Sequence, residues 1–448
     1  MEKNVETYWG VHDPAIFRDD ATGFYYIYCT GAKCRKSSDL IHWEDLGVVV
    51  QKPPKEAIEW TKSEAIWAPD IVKVGEEYRL YCSNSSWGVR QSCIFLAVSD
   101  SPEGPFEPRG IVVKTSEEMP CNAIDANIIR DQKTGEMYLL YGSFWGGVYL
   151  LKLEEETGLA ASKDVQSLLP EMEESCGEVI GQSLARRPKW VSAAIEGPYM
   201  IYHPDTDYYY LFVSYGSLKS DYNIRVARSR NVTGPFLDHN GVDLRNVEDS
   251  DNTTGYLLFS GYEWNDGTAY MGPGHNSVLR DADGQWYLLC HIREKNFRYE
   301  DVPSLLQVRK LFWTSDGWPV LSPEVYAGEK TPTEETSAAG AEGSSVSDEA
   351  LEQELMGIYE RIHFQPMLPE GVHVATPMKL GKDHYYENAS IQGTWEVQNQ
   401  RLWIRYGNVV EEAIITQIWD AQLQQETIGI TGKSEDGFAF WAKRTAKL

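Results

Sequence analysis

The chain has 448 residues, a length that suggests two or three domains. Its 41 lysines and arginines stand against 67 aspartates and glutamates, a formal net charge of -26, so no basic excess is available to neutralise nucleic-acid phosphates. The mean hydropathy is -0.42, and the sequence contains no apolar run near the ~20 residues that a membrane-spanning helix needs. We therefore expect neither nucleic acid nor a membrane as partner.

A hairpin pattern recurs five times from residue 12 to residue 291. Each copy has a polar or acidic start, an apolar run, a turn and an aromatic-rich run, which together predict a β-hairpin. The spacing between copies leaves room for roughly two more strands in each unit. Four strands repeated five times predict a five-bladed β-propeller over residues 1–327. A chain of β-sandwiches is the alternative, but it would not need hairpins with matching first residues.

The composition changes after the propeller. Residues 328–350 are small or acidic with almost no large apolar side chain, which is typical of a flexible linker. Leu351, Leu355, Ile358 and Ile362 have helical spacing and predict a short helix. Strand-like runs follow, so residues 351–448 are expected to form a smaller all-β domain, a barrel or a sandwich.

Aligning the five hairpins places Asp13, Ala68, Asp125, Glu196 and His275 at one shared position. The innermost strands of a propeller surround its axis, so these residues should converge. One aspartate could simply bond turn amides, but three carboxylates brought together raise each other's pKa and cost stability. Carboxyl groups with separated pKa values are the equipment of glycoside hydrolysis, in which one activates water and another protonates the leaving oxygen.

At these residues the sequence resembles glycoside hydrolase family 43, and within it the two-domain α-1,5-L-arabinanases. The resemblance runs in order through VHDPAIF, IWAPDI, AIDANIIRD, AIEGPYM and GPGHNSVLRD, and continues into the C-terminal domain through GTWEV. It implies a five-bladed propeller, in agreement with the repeat. It also implies hydrolysis of α-1,5-L-arabinofuranosidic bonds of arabinan with inversion of configuration.

The resemblance assigns roles to the acids. Asp13 would be the general base that polarises water, and Glu196 the general acid. Asp125 would raise the pKa of Glu196 and hold it in place. His275 resembles the family residue that binds a metal in the central channel, usually calcium, with water supplying most of the ligands. A histidine bonded to a carboxylate without metal is the alternative.

Aromatic side chains near the strand ends are candidate platforms for sugar rings. We expect Trp67, Trp87, Phe144 and Trp145 to bind substrate, with core packing as the alternative for each. Arg225 is a further candidate, in contact with substrate or with a catalytic carboxylate.

Several alternatives stay open at this point. The family usually carries a cysteine- and glycine-bearing loop where this chain has SLKSDYN (217–223), so exo action is the alternative to the expected endo action. Arabinofuranosidases and β-xylosidases share the same three acids, and a non-catalytic carbohydrate-binding propeller is a candidate of another class. The odd number of seven cysteines and the absence of an apolar signal-like start favour a cytoplasmic location, with secretion after removal of a signal as the alternative. A monomer is expected.

Overall fold

The computed structural model describes residues 8–160, 180–218, 220–295, 304–329, 347–366 and 372–448. Strands dominate these ranges, and helical structure is limited to α1 (Lys55–Thr61), α2 (Asp348–Leu355) and a 3-10 turn (Lys189–Val191). None of the helices in the described part of the chain is long and apolar enough to cross a membrane. Most of the 328–350 segment lies outside the described residues.

Five antiparallel sheets in chain order form the blades of a propeller. Blade one contains β1 (Ala15–Arg18), β2 (Tyr25–Cys29), β3 (Lys33–Ser37) and β4 (Glu44–Val48). Blade two contains β5 (Trp67–Val74), β6 (Glu77–Asn84), β7 (Ser92–Ser99) and β8 (Glu107–Thr115). Blade three contains β9 (Asn127–Arg130), β10 (Met137–Tyr141), β11 (Val148–Leu153) and β12 (Gln182–Ala185).

The last two blades complete the ring. Blade four contains β13 (Ile195–His203), β14 (Tyr208–Tyr215), β15 (Asn223–Ser229) and β16 (Tyr256–Phe259). Blade five contains β18 (Ala269–Arg280), β19 (Trp286–Glu294), β20 (Leu305–Trp313) and β21 (Pro319–Leu321), widened at its inner edge by β17 (Tyr262–Glu263). The first long strand of each blade contacts its counterparts in both neighbours, and β18 contacts β1, so the ring is closed. The predicted five-bladed propeller is confirmed.

Apolar residues explain why the hairpins stack as blades. The central strands are buried along their whole length, as in β2, or from the second residue on, as in β14, and they carry tyrosine, isoleucine, leucine and valine that pack between adjacent sheets. Polar side chains then lock neighbouring blades together: Asp70 accepts a hydrogen bond from the backbone of Ile128, and Ser277 accepts one from Ile16. Equivalent bonds on successive blades hold the inner strands at a fixed distance from the axis.

The C-terminal domain is a closed eight-stranded barrel. Its strands are β22 (Gly357–His363), β24 (Thr376–Leu380), β25 (Tyr385–Asn388), β26 (Ile391–Gln398), β27 (Arg401–Tyr406), β28 (Val409–Asp420), β29 (Gln425–Ser434) and β30 (Ala439–Lys447). The helix predicted through residue 362 is too long, because α2 ends at Leu355 and β22 contains both Ile358 and Ile362. Ile362 packs against the propeller core from β22, so tertiary packing overrides its helical spacing.

The barrel is joined to the propeller by strand pairing, by apolar packing and by charge. Strand β23 (His373–Val374) leaves the barrel and pairs in parallel with β17 of the propeller. Phe364 and Trp441 share an apolar cluster with Phe259. Lys443 on β30 lies 3.3–3.5 Å from four carboxylates, two from each domain: Asp266, Glu324, Glu360 and Asp420. The two domains therefore share one continuous buried interface.

Candidate active site

The cavity at the propeller axis has a volume of about 470 Å³ and is lined by all three predicted catalytic acids and by His275. The hairpin starts bring these residues together although they are separated by up to 262 positions in the chain. Rings of tryptophan and phenylalanine stand on the cavity wall around them. Carboxyl groups beside exposed aromatic faces match the needs of a sugar, since its apolar face packs on a ring while its hydroxyls bind polar groups.

One residue at the start of each hairpin has a left-handed backbone conformation. These residues define the equivalent positions of the five blades, and they differ from the sequence alignment in one blade. The residues concerned have φ between 35° and 64°: Asp13, Ala68, Asp125, Gly197 and His275. The inter-blade bonds confirm the register, because Ile16, Ile128 and Met200, each three residues further on, donate backbone hydrogen bonds to the neighbouring blade. The alignment therefore placed Glu196 one residue out of register, and the shared position of blade four is Gly197.

A glycine at this position lets the general-acid candidate approach the axis. A Cβ on Gly197 would lie 3.1 Å from the Cα and ring atoms of His275, and the residue also has φ of 55°. Glu196 thus precedes the turn and reaches the cavity from the strand itself. The side chain of glutamate is longer than that of aspartate, so the Glu196 carboxyl still reaches the cavity that Asp13 and Asp125 line.

Asp13 is surrounded by imidazoles. Its Oδ1 lies 3.1 Å from Nδ1 of His275 and 3.5 Å from Nε2 of His12, and the Thr30 hydroxyl donates a 2.6 Å hydrogen bond to Oδ2. Burial on its own would raise the pKa of Asp13, but the neighbouring His12, His275 and His291 outweigh it and hold that pKa well below 3.8. Asp13 is therefore an ionised carboxylate at neutral pH, as a general base requires.

The pKa of Glu196 is shifted in the opposite direction to that of Asp13. Burial raises its pKa above the usual 4.5, although hydrogen bonds from Ser143 and Tyr222 act against this rise. The Ser143 hydroxyl donates to Oε2 at 2.8 Å, and the Tyr222 hydroxyl donates to Oε1 at 2.9 Å. Both carboxyl oxygens are thus held, so the plane of the group is fixed relative to the cavity. A fixed carboxyl group with a raised pKa is suited to donate a proton.

Asp125 is connected to Glu196 through the backbone. Its Oδ2 accepts a 3.0 Å hydrogen bond from the N–H of Gly197, the residue that follows Glu196. Burial, followed by the charges of Glu196 and Asp13, raises the pKa of Asp125 well above 3.8. Asp125 and Glu196 therefore titrate as a pair, and repulsion between them disfavours ionisation of both.

The predicted substrate platforms line this cavity. Trp67, Trp87, Phe144 and Trp145 are all on its wall, and Trp87 is 79% exposed. The Arg90 guanidinium lies over the ring of Trp145, 5.5 Å from its centroid, a cation–π contact. Backbone at Phe144 and Trp145 is left-handed, which turns both rings outward from the end of the blade-three hairpin.

Arg225 does not line the cavity, and here the sequence-based interpretation is wrong about its surroundings. Its side chain is fully buried between strands, where it donates to the backbone oxygens of Thr254 and Pro366. Its guanidinium also lies 5.3 Å from the Tyr215 ring. Arg225 therefore ties blade four to the segment that leaves the barrel, because an arginine can satisfy several carbonyls at once.

The nitrogen-rich surroundings of Asp13 do not form a calcium cage. His12, Asp13 and His291 bring one ligand atom each within 4.8 Å of one another, which gives two imidazoles and a single carboxylate. Calcium takes 6–8 oxygen ligands, and imidazole suits other metals better. His275 already faces Asp13 through Nδ1, and Nδ1 of His291 accepts a hydrogen bond from the backbone of Asp13. Most of a calcium shell would therefore have to be water.

Several residues of the site were missed by the sequence reasoning. Thr30 and Ser143 follow the second strand of their hairpins, and His291 lies within β19, the second strand of its own hairpin; all three bind the acids or a turn amide. A repeat of polar residues after the aromatic runs was available as a signal. Tyr222 lies in the divergent 217–223 loop, so neither the repeat nor the resemblance indicated it.

A closed propeller with three axial carboxyls of unequal acidity, set among exposed aromatic rings, defines a glycoside-cleaving enzyme. Comparison with known families agrees. The family model for glycosyl hydrolases family 43 matches residues 8–319, and a C-terminal lipocalin-like domain model matches residues 323–442. The chain belongs to glycosyl hydrolase family 43.

Known proteins resemble the chain over nearly its whole length. The extracellular endo-alpha-(1->5)-L-arabinanase of Thermotoga petrophila is 30% identical, over 97% of this chain and 93% of its own. The extracellular endo-alpha-(1->5)-L-arabinanase 2 of Bacillus subtilis is 28% identical, over 97% of this chain and 92% of its own. The crystal structure of the Thermotoga petrophila RKU-1 endo-1,5-alpha-L-arabinanase superposes with a TM-score of 0.81 at 28% identity, covering 99% of this chain and all of that one. Both domains are therefore shared with these relatives.

Proposed function

We propose that the protein is an endo-acting hydrolase of the α-1,5-L-arabinofuranosidic bonds of arabinan. The observation that carries the proposal is the contrast in surroundings between two carboxyls of one aromatic-lined cavity: imidazoles of His275 and His12 face Asp13, whereas two hydroxyls hold both carboxyl oxygens of Glu196. The two full-length relatives described above, both endo-arabinanases by name, support the choice of substrate. A non-catalytic sugar-binding propeller would have no need for this contrast.

The reaction follows from the two protonation states. Ionised Asp13 takes a proton from a water molecule as the water oxygen forms a bond to the anomeric carbon. The bond between that carbon and the glycosidic oxygen breaks, and Glu196 gives its proton to the departing oxygen. Ser143 and Tyr222 hold the Glu196 carboxyl, and Asp125 holds the backbone of Gly197 beside it. The products are two shorter chains, one of which carries the new reducing end. Asp13 then releases its proton to solvent and Glu196 takes one up, which restores the starting state of the enzyme.

Inversion of configuration is part of the proposal, since water attacks directly in a single displacement. Proton NMR of the first products tests it. We expect the β-anomer of the new reducing end to appear before mutarotation, because the substrate bond is α. First formation of the α-anomer would indicate a covalent intermediate and would make Asp13 a nucleophile.

Product analysis tests substrate and endo action together. Linear 1,5-α-L-arabinan should yield a spread of arabino-oligosaccharides at early times. A single short product would support the exo alternative. Turnover of xylo-oligosaccharides or aryl glycosides without arabinan cleavage would support a β-xylosidase or arabinofuranosidase instead.

From the family resemblance we also propose that a calcium ion binds at the propeller axis, with His275 as one ligand and water as most of the others. When bound, the ion would supply positive charge near the carboxylates. Dialysis against EDTA, followed by activity and thermal denaturation with and without added calcium, tests it. Unchanged activity and melting temperature would reject a functional ion.

Location and assembly are the last parts of the proposal. The names of both relatives include the word extracellular, which favours the secreted alternative over the cytoplasmic expectation. The monomeric state remains a prediction, and light scattering would test it.

A further inference from the structure

The catalytic cavity continues past Glu196 into a second lobe of about 770 Å³. We infer that this lobe binds the arabinosyl units of the leaving group, and that Trp190 is their stacking platform. The two lobes share Trp87, Phe144, Glu196 and Leu218, so they form one continuous cleft. This inference rests on the proposed arabinan hydrolysis.

The position of the acids decides which part of the substrate the second lobe receives. Asp13 lines only the first lobe, whereas Glu196 lines both. In a single displacement the base and its water lie on one side of the reacting sugar and the acid lies beside the departing oxygen. The lobe beyond Glu196, away from Asp13, therefore accepts the sugar units attached to that oxygen.

The indole ring of Trp190 is exposed and is held in one orientation. Its side chain is 60% exposed, although it is large and apolar. Its indole N–H donates a 2.9 Å hydrogen bond to the backbone oxygen of Asp249, which holds the ring in one orientation. Pro188 and the 3-10 turn of Lys189–Val191 set the backbone beneath it. A ring that is immobilised before binding loses little entropy when a sugar packs on it.

Polar groups that line the same lobe complement this platform. Arg187 is only 4% exposed and lines the lobe, where it donates to Asn252 Oδ1 at 2.7 Å and to the Ala194 oxygen at 2.7 Å. Its Nε has no hydrogen-bond partner among the described residues. Asp221 and Asp251 also line the lobe and offer carboxylate acceptors. The hydroxyls of a neutral sugar can donate hydrogen bonds to these carboxylates, whereas an acidic sugar would be repelled by them.

Trp190→Ala tests the assignment, with Lys189→Ala as the matched control. Lys189 is exposed on the same turn and does not line the cleft. We compare kcat/KM for arabinohexaose with kcat/KM for an aryl arabinofuranoside, whose leaving group is too small to span the lobe. Trp190→Ala should lower the hexaose-to-aryl ratio about tenfold, and Lys189→Ala should leave the ratio as in the wild type.

The contradicting outcomes are distinct. An unchanged ratio in Trp190→Ala, or an equal loss of activity on both substrates, would overturn the leaving-group lobe while arabinan hydrolysis by the wild type stands. If the wild-type enzyme fails to cleave arabinohexaose, the proposed function fails and the lobe assignment fails with it. Circular dichroism of both variants establishes that they are folded.

Discussion

Tyr222→Phe isolates one hydrogen bond to the proposed acid. The substitution removes the hydroxyl that donates to Glu196 Oε1 at 2.9 Å, and it keeps the ring. The ring is held independently of that hydroxyl, since it packs over Gly274 and lies parallel to His291 at 5.7 Å between centroids. We therefore expect the variant to fold normally, with its main effect on the titration and orientation of Glu196.

The size of the effect follows from the difference between two hydrogen bonds. A bond to an ionised carboxylate contributes about 1.5–3 kcal/mol, whereas a bond to a neutral carboxyl contributes about 0.5–1.5 kcal/mol. The difference, roughly 1–1.5 kcal/mol, corresponds to about one pKa unit. Tyr222 stabilises the ionised form of Glu196, so its removal raises that pKa further.

The assay is the pH dependence of kcat/KM on arabino-oligosaccharides. The acid must be protonated, so activity is lost as the pH rises through the pKa of Glu196. In Tyr222→Phe this basic limb should move up by about one pH unit, and the maximal rate should fall about tenfold because the carboxyl is less well oriented. An unshifted basic limb would refute the role given to Tyr222.

Tyr81→Phe provides the matched control. Tyr81 is equally buried, and its hydroxyl donates a 3.0 Å bond to the backbone oxygen of Gly158, away from the cavity. This variant should lose some stability in urea denaturation but keep the wild-type pH profile. A similar shift in both variants would indicate a general loosening of the propeller.

Three other perturbations follow from the same geometry. In the wild type the acidic limb of the pH profile should lie below the range in which an ordinary aspartate titrates, because the lowered pKa of Asp13 keeps the base ionised there, as measured by initial rates in buffered series. Gly274→Ala should cost about 3 kcal/mol in urea denaturation, because the new Cβ would lie 1.9 Å from the Tyr222 ring and overpack the site. Lys443→Met should destabilise by about 3–5 kcal/mol at pH 7 by leaving buried carboxylates uncompensated. That last loss should shrink as the pH falls, since burial already raises the pKa of Glu324 and its protonation removes the charge; a loss that does not depend on pH would contradict the account.

The repeat predicts the propeller well because each blade is a local unit. Hairpin turns and aromatic strands such as Tyr25–Cys29 are decided by nearby residues, and five copies then close by packing. The fold of the second domain was harder to predict from the sequence. Ile358 and Ile362 have helical spacing, but β22 is fixed by pairing with β24 and β30, which are distant in sequence.

The candidate site was likewise predictable only in part from the sequence. Asp13, Asp125 and His275 were found because the repeat carries them to one axis, and Glu196 was found because it immediately precedes Gly197, the equivalent residue of blade four. The protonation of Asp13 and Glu196 was not predictable, since it depends on His291, which lies on the blade next to Asp13, and on Tyr222, which lies in the divergent loop of the blade that carries Glu196. Arg225 was expected to contact substrate or a catalytic carboxylate, but it is buried beside the segment that leaves the barrel, a packing partner far away in the sequence.

The most direct test of the central claim compares two substrates in Glu196→Gln. Glutamine keeps the shape of the side chain but cannot donate the catalytic proton. Arabinan has a poor leaving group that needs this proton, whereas a dinitrophenyl arabinofuranoside does not. We predict a loss of about 10³-fold or more on linear arabinan and a loss below about tenfold on the dinitrophenyl glycoside. Equal losses on both substrates, or wild-type turnover of arabinan, would contradict Glu196 as the general acid.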